Sequence, residues 1–540
     1  MRPSSPRRDL LVVGVAIALA LGVCVWWILY DQRLPNGDDA RHLATSNDFA
    51  ETLRGWDTTG LLTTDIYGYP PLVRLVGAVP IVAGLDGTDW SPIAVAAVFL
   101  PLLALGCYGV GRHVFGPTAG VLAALFALGT PMVMQLFHVE LLDAPLAAMV
   151  AVTLWALLAS DRFARTRESV IAGALLGLAL LVKTPAPAFL AGAVAVSLAT
   201  GGWRRPRNVA LAAAATLIVA APYYLNNISQ YASLSGEAVV ASQDQWTLAF
   251  GWSFEGSRRL SPESFAWYPW AGVNTQYLVP LMAFFAAGLG YSLTQLRRRP
   301  QVAELVAGLA VGYLAMTLLS LHDPRYTLPL AVYVAVIGTS WITALRARAI
   351  RIAATVVLLA VVAANFAAGT FGALPTVQAT LPGDDEADLI HPGALTFLDK
   401  RGFYAGEPHP DPVWADLLDT IEREGIHTAE LHFYEPLLGG TDYYGFQVAA
   451  ETEHDIDLGD APPFVGRPKG IPGTLAHPGV VITTWWSSDP PILGRAGVRA
   501  LPAPCASVED GIVLPDVEGK QLHVLVERLW RGRYERWCDF

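Results

Sequence analysis

The sequence predicts a mainly α, polytopic membrane bundle of about eleven helices, followed by a small α/β domain outside the membrane. Three observations lead there. The 540 residues are 53% hydrophobic but only 15% charged, whereas a soluble chain carries about a quarter charged residues. Apolar runs near the length needed to cross a bilayer, about 20 residues, recur as far as residue 371. From about residue 375 the composition changes to Pro, Gly and acidic residues, with no run long enough to span. The mean hydropathy of +0.41 excludes a disordered chain. The net charge of −11 argues against a nucleic-acid partner. Four cysteines are too few for a disulfide scaffold, and no Cys-x-x-Cys metal spacing occurs.

The first apolar run, residues 10–30, follows a leader containing Arg7 and Arg8. It lacks a small-x-small cleavage pattern and closes on Trp26, Trp27 and Tyr30, an interfacial aromatic anchor. The expectation is an uncleaved helix with its N-terminus in the cytoplasm. Further spans are expected at 90–111, 117–134, 141–160, 169–183, 185–201, 208–225, 271–296, 302–320, 326–345 and 351–371. Lys183-Thr184-Pro185 divides a stretch that would be too long for one span, and Pro185 suits a helix start. Residues 72 onward hold a run of only about 15 apolar residues, short for a span and suited to an interfacial or re-entrant helix.

Basic clusters at 7–8, 112–113, 162–167, 204–207, 297–299 and 346–351 mark the cytoplasmic side. The loops 31–89, 135–140, 226–268 and 321–325 are acidic or mixed. An odd count of eleven spans keeps every basic cluster inside and leaves the C-terminal segment outside. The domain reading is therefore 1–374 for the membrane part, with a first outer loop at 31–89, and 375–540 for an extracytoplasmic α/β domain. Within the latter, 413–424 has helical periodicity, with Trp414, Leu417, Leu418 and Ile421 on one face. Residues 428–434, 480–484 and 522–527 read as strands. Cys505 and Cys538 lie there, bridged or free, since the geometry a disulfide needs is not in the sequence. Cys24 and Cys107 fall inside spans as inert core residues.

Some charges are not explained by membrane insertion. Asp38 and Asp39 are adjacent carboxylates just after the first span, fit for a general base or a cation ligand, and equally for a helix N-cap. Tyr69-Pro70-Pro71-Leu72 reads either as a guide for a lipid chain or as an aromatic anchor. Asp143 opens a span, where a carboxylate is favoured by the helix dipole and also marks a functional group at membrane depth. Lys183 ends a span, either snorkelling or meeting an anion. Arg325 stands at a helix start, where a cation opposes the dipole and an anionic ligand accounts for it better. All of these groups are expected on the outer face. A carboxylate base beside cations for phosphate oxygens suits transfer from a lipid-linked phosphosugar.

In these motifs the chain resembles the GT-C-fold membrane glycosyltransferases that use polyprenyl-phosphate sugars, among them protein O-mannosyltransferases and the aminoarabinose transferases of lipid A. The resemblance covers about 30–370. It aligns Asp38 with the family's catalytic Asp and Asp39 with the Glu that follows, while His42 replaces an aromatic residue. Tyr69 replaces the His or Lys of a Pro-Pro-Leu segment, which leaves the donor-phosphate contact to Arg74 or Lys183. Asp143 matches the Asp of the second outer loop. Gly177 to Pro185 and Arg325-Tyr326-Thr327-Leu328-Pro329 match the patterns around a Lys and an Arg-Tyr. The resemblance implies a catalytic Asp38 assisted by Asp39, a positioning Asp143, and donor-phosphate contacts from Lys183, Arg325, Tyr326, Arg74 and Tyr69.

The function expected is sugar transfer from a polyprenyl-phosphate donor to an extracytoplasmic glycan, lipid or protein in the cell membrane. The metal is unknown; paired carboxylates leave Mg or Mn as a possible divalent cation. Asp455-Ile456-Asp457 matches a metal-holding Asp-x-Asp pattern but lies in an acidic loop that reads as a solvated surface. No Walker A, His-Glu-x-x-His or Gly-x-Ser-x-Gly pattern occurs. The alternative class is a transporter, a flippase or a non-catalytic subunit of an envelope assembly complex.

Overall fold

The computed structural model describes residues 6–31, 35, 38–57, 59–63, 69–85, 87–229, 262–319, 322–380, 394–402, 405–406 and 408, and the strands 430–433, 480–486, 506–517 and 520–529. The helix expected at 413–424, the Asp455–Asp457 pattern, and Cys505 and Cys538 lie outside the described residues.

The helices run in chain order as α1 (Pro6–Tyr30), α2 (Asp38–Arg54), α3 (Gly60–Thr63), α4 (Leu72–Val82), α5 (Gly87–Phe115), α6 (Pro117–Leu128), α7 (Pro131–Gln135) and α8 (Asp143–Ala159). They continue as α9 (Thr166–Val182), α10 (Ala186–Thr200), α11 (Pro206–Asn226), α12 (Pro262–Ala271), α13 (Leu278–Gln295), α14 (Pro300–Thr317), α15 (Ala331–Ala344) and α16 (Arg348–Phe371). A 3₁₀ turn, Pro324–Leu330, leads into α15. Each stretch expected to span contains a helix, but 117–134 is divided into α6 and α7, and the helix in 271–296 begins only at Leu278. Among the described residues, seven helices are both long and apolar enough to cross a membrane. Others are shorter; the 17 residues of α8 cover about 26 Å at 1.5 Å per residue, a little less than a hydrocarbon core.

Proline sets several of the starts. Pro117, Pro131, Pro206 and Pro300 each stand in the first turn of their helix, where the missing N–H costs no hydrogen bond. Lys183, extended at φ −158 and ψ 136, ends α9, and Pro185 caps α10. One long apolar stretch thus becomes two helices with a lysine between them. The 11-residue α4 is too short to span, in keeping with its short apolar run.

The chain divides into two compact units. The first comprises Met1–Ile28, Thr45–Ala83 and Ser91–Pro408. Its core lies around α5 and the segment from Pro324 to Ala344, whose apolar windows are 67% and 83% buried, against 22–39% for the other long spans. Lipid tails are as apolar as leucine, so helices here associate through close packing of small residues. Gly192 of α10 lies on the backbone of Ala307 in α14, Gly173 of α9 on Ala212 of α11, and Gly288 of α13 on Ile337 of α15. None of these crossings leaves room for a Cβ. Strands β1 (Val377–Thr380) and β2 (Ala394–Leu398) pair antiparallel in this unit. Thr396 of β2 donates to Asn274 Oδ1 at 3.1 Å.

The second unit comprises Leu29–Ala44, Gly84–Trp90 and His409–Phe540. It holds β3 (Glu430–Phe433), β4 (Val480–Trp486), β5 (Ala506–Val517) and β6 (Lys520–Leu529), in the sheet order β3-β4-β6-β5. β3 and β4 are parallel, and the other pairs are antiparallel. The β-branched and aromatic run Val-Val-Ile-Thr-Thr-Trp-Trp of β4 suits a strand with neighbours on both sides.

Candidate active site

The site is built where three helix ends meet in the first unit. Asp143 is the first residue of α8, Lys183 follows the last turn of α9, and Arg325 and Tyr326 lie in the 3₁₀ turn before α15. Helix ends carry their charges naturally at membrane depth, because the chain breaks there expose backbone that needs polar partners. Asp143 Oδ1 accepts from Lys183 Nζ at 2.7 Å, with the two side chains only 3% and 14% exposed. Asp143 Oδ2 lies 3.9 Å from Arg325 Nε, and Asp323 Oδ2 lies 3.2 Å from the same nitrogen. The Asp323 carboxylate also accepts the backbone N–H of Arg325 at 2.9 Å. The cation that a bare helix start left unexplained therefore has two carboxylates of its own.

Tyr326 lies close to both cations, with its ring centre 5.1 Å from Lys183 Nζ and 5.8 Å from Arg325 Cζ. These distances are within reach of the attraction between a cation and an aromatic face. A cavity of about 380 Å³ opens beside them, lined by Tyr69, Asp143, Lys183, Phe189, Met316 and Tyr326 among others. It combines a largely apolar wall with a few convergent polar groups, as small-ligand sites do. Four residues expected at the site from sequence, Tyr69, Asp143, Lys183 and Tyr326, thus share one cavity, and Arg325 pairs with one of them.

Arg74 is placed differently. It is fully buried in α4 and does not line the cavity. Its Nη1 donates to the Tyr69 carbonyl at 3.3 Å, and its guanidinium lies 5.5 Å from the centre of the Tyr69 ring. The Tyr223 hydroxyl donates to the same carbonyl at 2.9 Å. Asp38 and Asp39 belong to the second unit. They form the first turn of α2, where the helix dipole favours carboxylates, and Asp38 pairs with Arg41 at 3.5 Å, one turn on. Among the described residues no three His, Cys, Asp or Glu side chains converge as a metal-ligand set.

Reading the residues alone did not single out Glu140, three positions before Asp143, or Ser46 and Ser91. Glu140 is completely buried, and its two oxygens accept the hydroxyls of Ser46 and Ser91. Burial pushes its carboxyl above the usual range, against the pull of both serines and of Arg74. His322 is buried against both Trp267 and Tyr268, with ring centres 5.3 Å from each. Burial holds its imidazole below its ordinary value, against a backbone hydrogen bond to Thr317.

Residues 70–225 match the sequence profile of the family described as dolichyl-phosphate-mannose-protein mannosyltransferase. No curated protein matches the chain significantly by sequence. Among solved structures, apo ArnT from Cupriavidus metallidurans is similar with a TM-score of 0.57 at 15% identity, covering 96% of this chain and 98% of that one. The structure of ArnT from the same organism bound to undecaprenyl phosphate is similar with a TM-score of 0.55 at 15% identity, covering 95% and 97%. Likeness at this identity over nearly the whole of both chains is likeness of fold. The chain is a multi-pass membrane protein with the GT-C glycosyltransferase fold, and its residues 70–225 carry the sequence pattern of the dolichyl-phosphate-mannose-protein mannosyltransferase family.

Proposed function

We propose that the protein transfers a sugar from a polyprenyl-phosphate donor to an acceptor hydroxyl on the outer side of the membrane. The observation that carries this reading is the cavity in which Lys183, Asp143, Tyr69 and Tyr326 converge among apolar side chains. An apolar wall suits a lipid chain, and a buried cation suits its phosphate. The match of residues 70–225 to a family named for a dolichyl-phosphate sugar supports the same donor class. So does the fold shared with ArnT, whose structure holds undecaprenyl phosphate.

The chemistry follows from charge. The acceptor oxygen attacks the anomeric carbon, the bond from that carbon to the phosphate oxygen breaks, and the lipid phosphate leaves with the electron pair. Lys183 and Arg325 neutralise that growing charge, and Tyr326 keeps both cations oriented. Asp38 takes the acceptor proton, assisted by Asp39. Asp143 holds Lys183 until the donor phosphate arrives and positions the reacting groups afterwards. In this reading the N-terminus is cytoplasmic, and residues 375–540 form an extracytoplasmic domain. The basic clusters at 162–167, 204–207 and 297–299 on one set of loops support that orientation.

Transfer from radiolabelled polyprenyl-phosphate sugars to membrane acceptors, measured in proteoliposomes, tests the reading. Wild type transfers label. Asp38→Asn loses about a hundredfold or more, the scale of a lost general base. Lys183→Ala weakens donor use. Full activity in Asp38→Asn moves the base to Asp39 or Asp143. Uptake of labelled substrate with no glycosylated product replaces transfer with transport.

A further inference from the structure

Beside Tyr69, which lines the cavity, Arg74 belongs to a second buried group of opposite charges that the proposed chemistry does not use. Glu140 and Arg74 are both 0% exposed, in a protein where an uncompensated interior charge is costly. The carboxylate is gripped from two sides, Ser46 of α2 donating to one oxygen and Ser91 of α5 to the other. Arg74 of α4 supplies the opposing charge. Gly77, one turn after Arg74, faces this cluster, and a Cβ there would collide with the Ser91 hydroxyl and crowd the Ser46 hydroxyl and a Glu140 carboxylate oxygen. The node is built tightly, from α2, α4, α5 and the turn before α8.

Two links run from the node to the cavity. Arg74 holds Tyr69, donating to its carbonyl while the guanidinium lies over its ring, and Tyr69 lines the cavity. Glu140 holds the turn that ends, three residues later, at Asp143, the partner of Lys183. Neither Glu140 nor Arg74 is among the cavity-lining residues. Their influence on a ligand runs through Tyr69 and Asp143.

We propose that Glu140 and Arg74 are positioning residues for the polyprenyl-phosphate site: the buried carboxylate fixes Arg74 and the Asp143 turn, and Arg74 fixes Tyr69 against the bound lipid phosphate. The proposal rests on the donor reading above. It also accounts for a charge pair at a place where apolar residues of the same volume would serve stability as well.

The test separates folding from binding. Melting temperature and affinity for undecaprenyl phosphate, with neutral undecaprenol as the control, are measured on the detergent-purified full chain. The variants are Lys183→Ala, Glu140→Gln, Arg74→Lys and the double variant Glu140→Gln/Arg74→Met. The double variant removes both charges together, so no buried charge is left alone. It is expected to melt close to wild type and to bind undecaprenyl phosphate about tenfold more weakly, the order expected when a site is misplaced rather than removed. Arg74→Lys keeps the charge beside Glu140 but loses the planar group over Tyr69, and it too should bind more weakly at an unchanged melting temperature. Wild-type affinity in a folded double variant or in folded Arg74→Lys overturns the proposal and leaves a purely structural pair. If Lys183→Ala weakens binding while these variants do not, the donor reading stands and only the positioning role falls. If wild type does not prefer undecaprenyl phosphate to undecaprenol, the donor reading fails and the positioning role falls with it.

Discussion

Asp143 neutralises Lys183 at 2.7 Å, and this sets what its loss does. Asp143→Asn leaves an almost buried ammonium without its carboxylate, and breaking one side of a buried pair costs about 3–5 kcal/mol. The variant is expected to melt at a lower temperature than wild type. Added undecaprenyl phosphate should then raise its melting temperature by more than it raises that of wild type, because the ligand alone now supplies the missing negative charge. Thermal unfolding with and without the lipid checks both. An equal ligand-induced rise in the two proteins would separate Lys183 from phosphate binding. Asp143, Lys183 and Arg325 were legible in the sequence because charges beside apolar runs stand out. The partners were not. Arg325 meets Asp143 across 182 positions of chain and Asp323 two residues back, and only folding decides between those contacts and a ligand. Glu140 was invisible for the same reason, since its serines come from residues 46 and 91.

At the scale of elements, the apolar runs and their prolines specify most of the helices. A run near bilayer length has few alternatives, and Pro185 at the start of α10 turns the Lys183 break into a site rather than a kink. The short strands were harder. β1 is only Val-Gln-Ala-Thr, and β5 carries Glu, Asp, Gly and Pro, so neither shows the alternation that identifies a strand. The strands expected at 428–434, 480–484 and 522–527 fall on β3, β4 and β6, where β-branched and aromatic residues concentrate. The helix crossings at glycine yield a prediction of their own. A Cβ at Gly288 would strike the Ile337 carbonyl, so Gly288→Ala must push α13 from α15, and overpacking of this kind costs about 1–3 kcal/mol. Gly290, on the same helix, has open space around it, and Gly290→Ala is expected to be neutral or slightly stabilising. Melting curves in detergent compare the two. Equal stability of both variants would show that the crossing yields easily.

For the whole molecule, the proposed orientation rests on arginine-rich loops, and it is open to direct measurement. Cys24 and Cys107 are buried and should be silent towards a membrane-impermeant maleimide. A cysteine introduced by Arg204→Cys in a chain whose Cys505 and Cys538 are replaced by Ser is expected to resist labelling in intact cells and to react once the membrane is opened. Labelling in intact cells would invert the topology and with it the side proposed for sugar transfer. The GT-C architecture itself was readable because several weak motifs occur in a fixed order along the helix ends. The sugar and the acceptor were not, because what distinguishes them lies in cavity shape.

The Lys183–Asp143 pair also bears on permeability. A charged cavity between membrane helices is a weak point in an insulating barrier, where a lone fixed charge would draw in a counter-ion and its water. Here the cation and the carboxylate satisfy each other at 2.7 Å, so a stray ion or proton gains little by entering. On the proposed reading, the protein can therefore offer a charged site to a lipid phosphate without making the membrane conductive there.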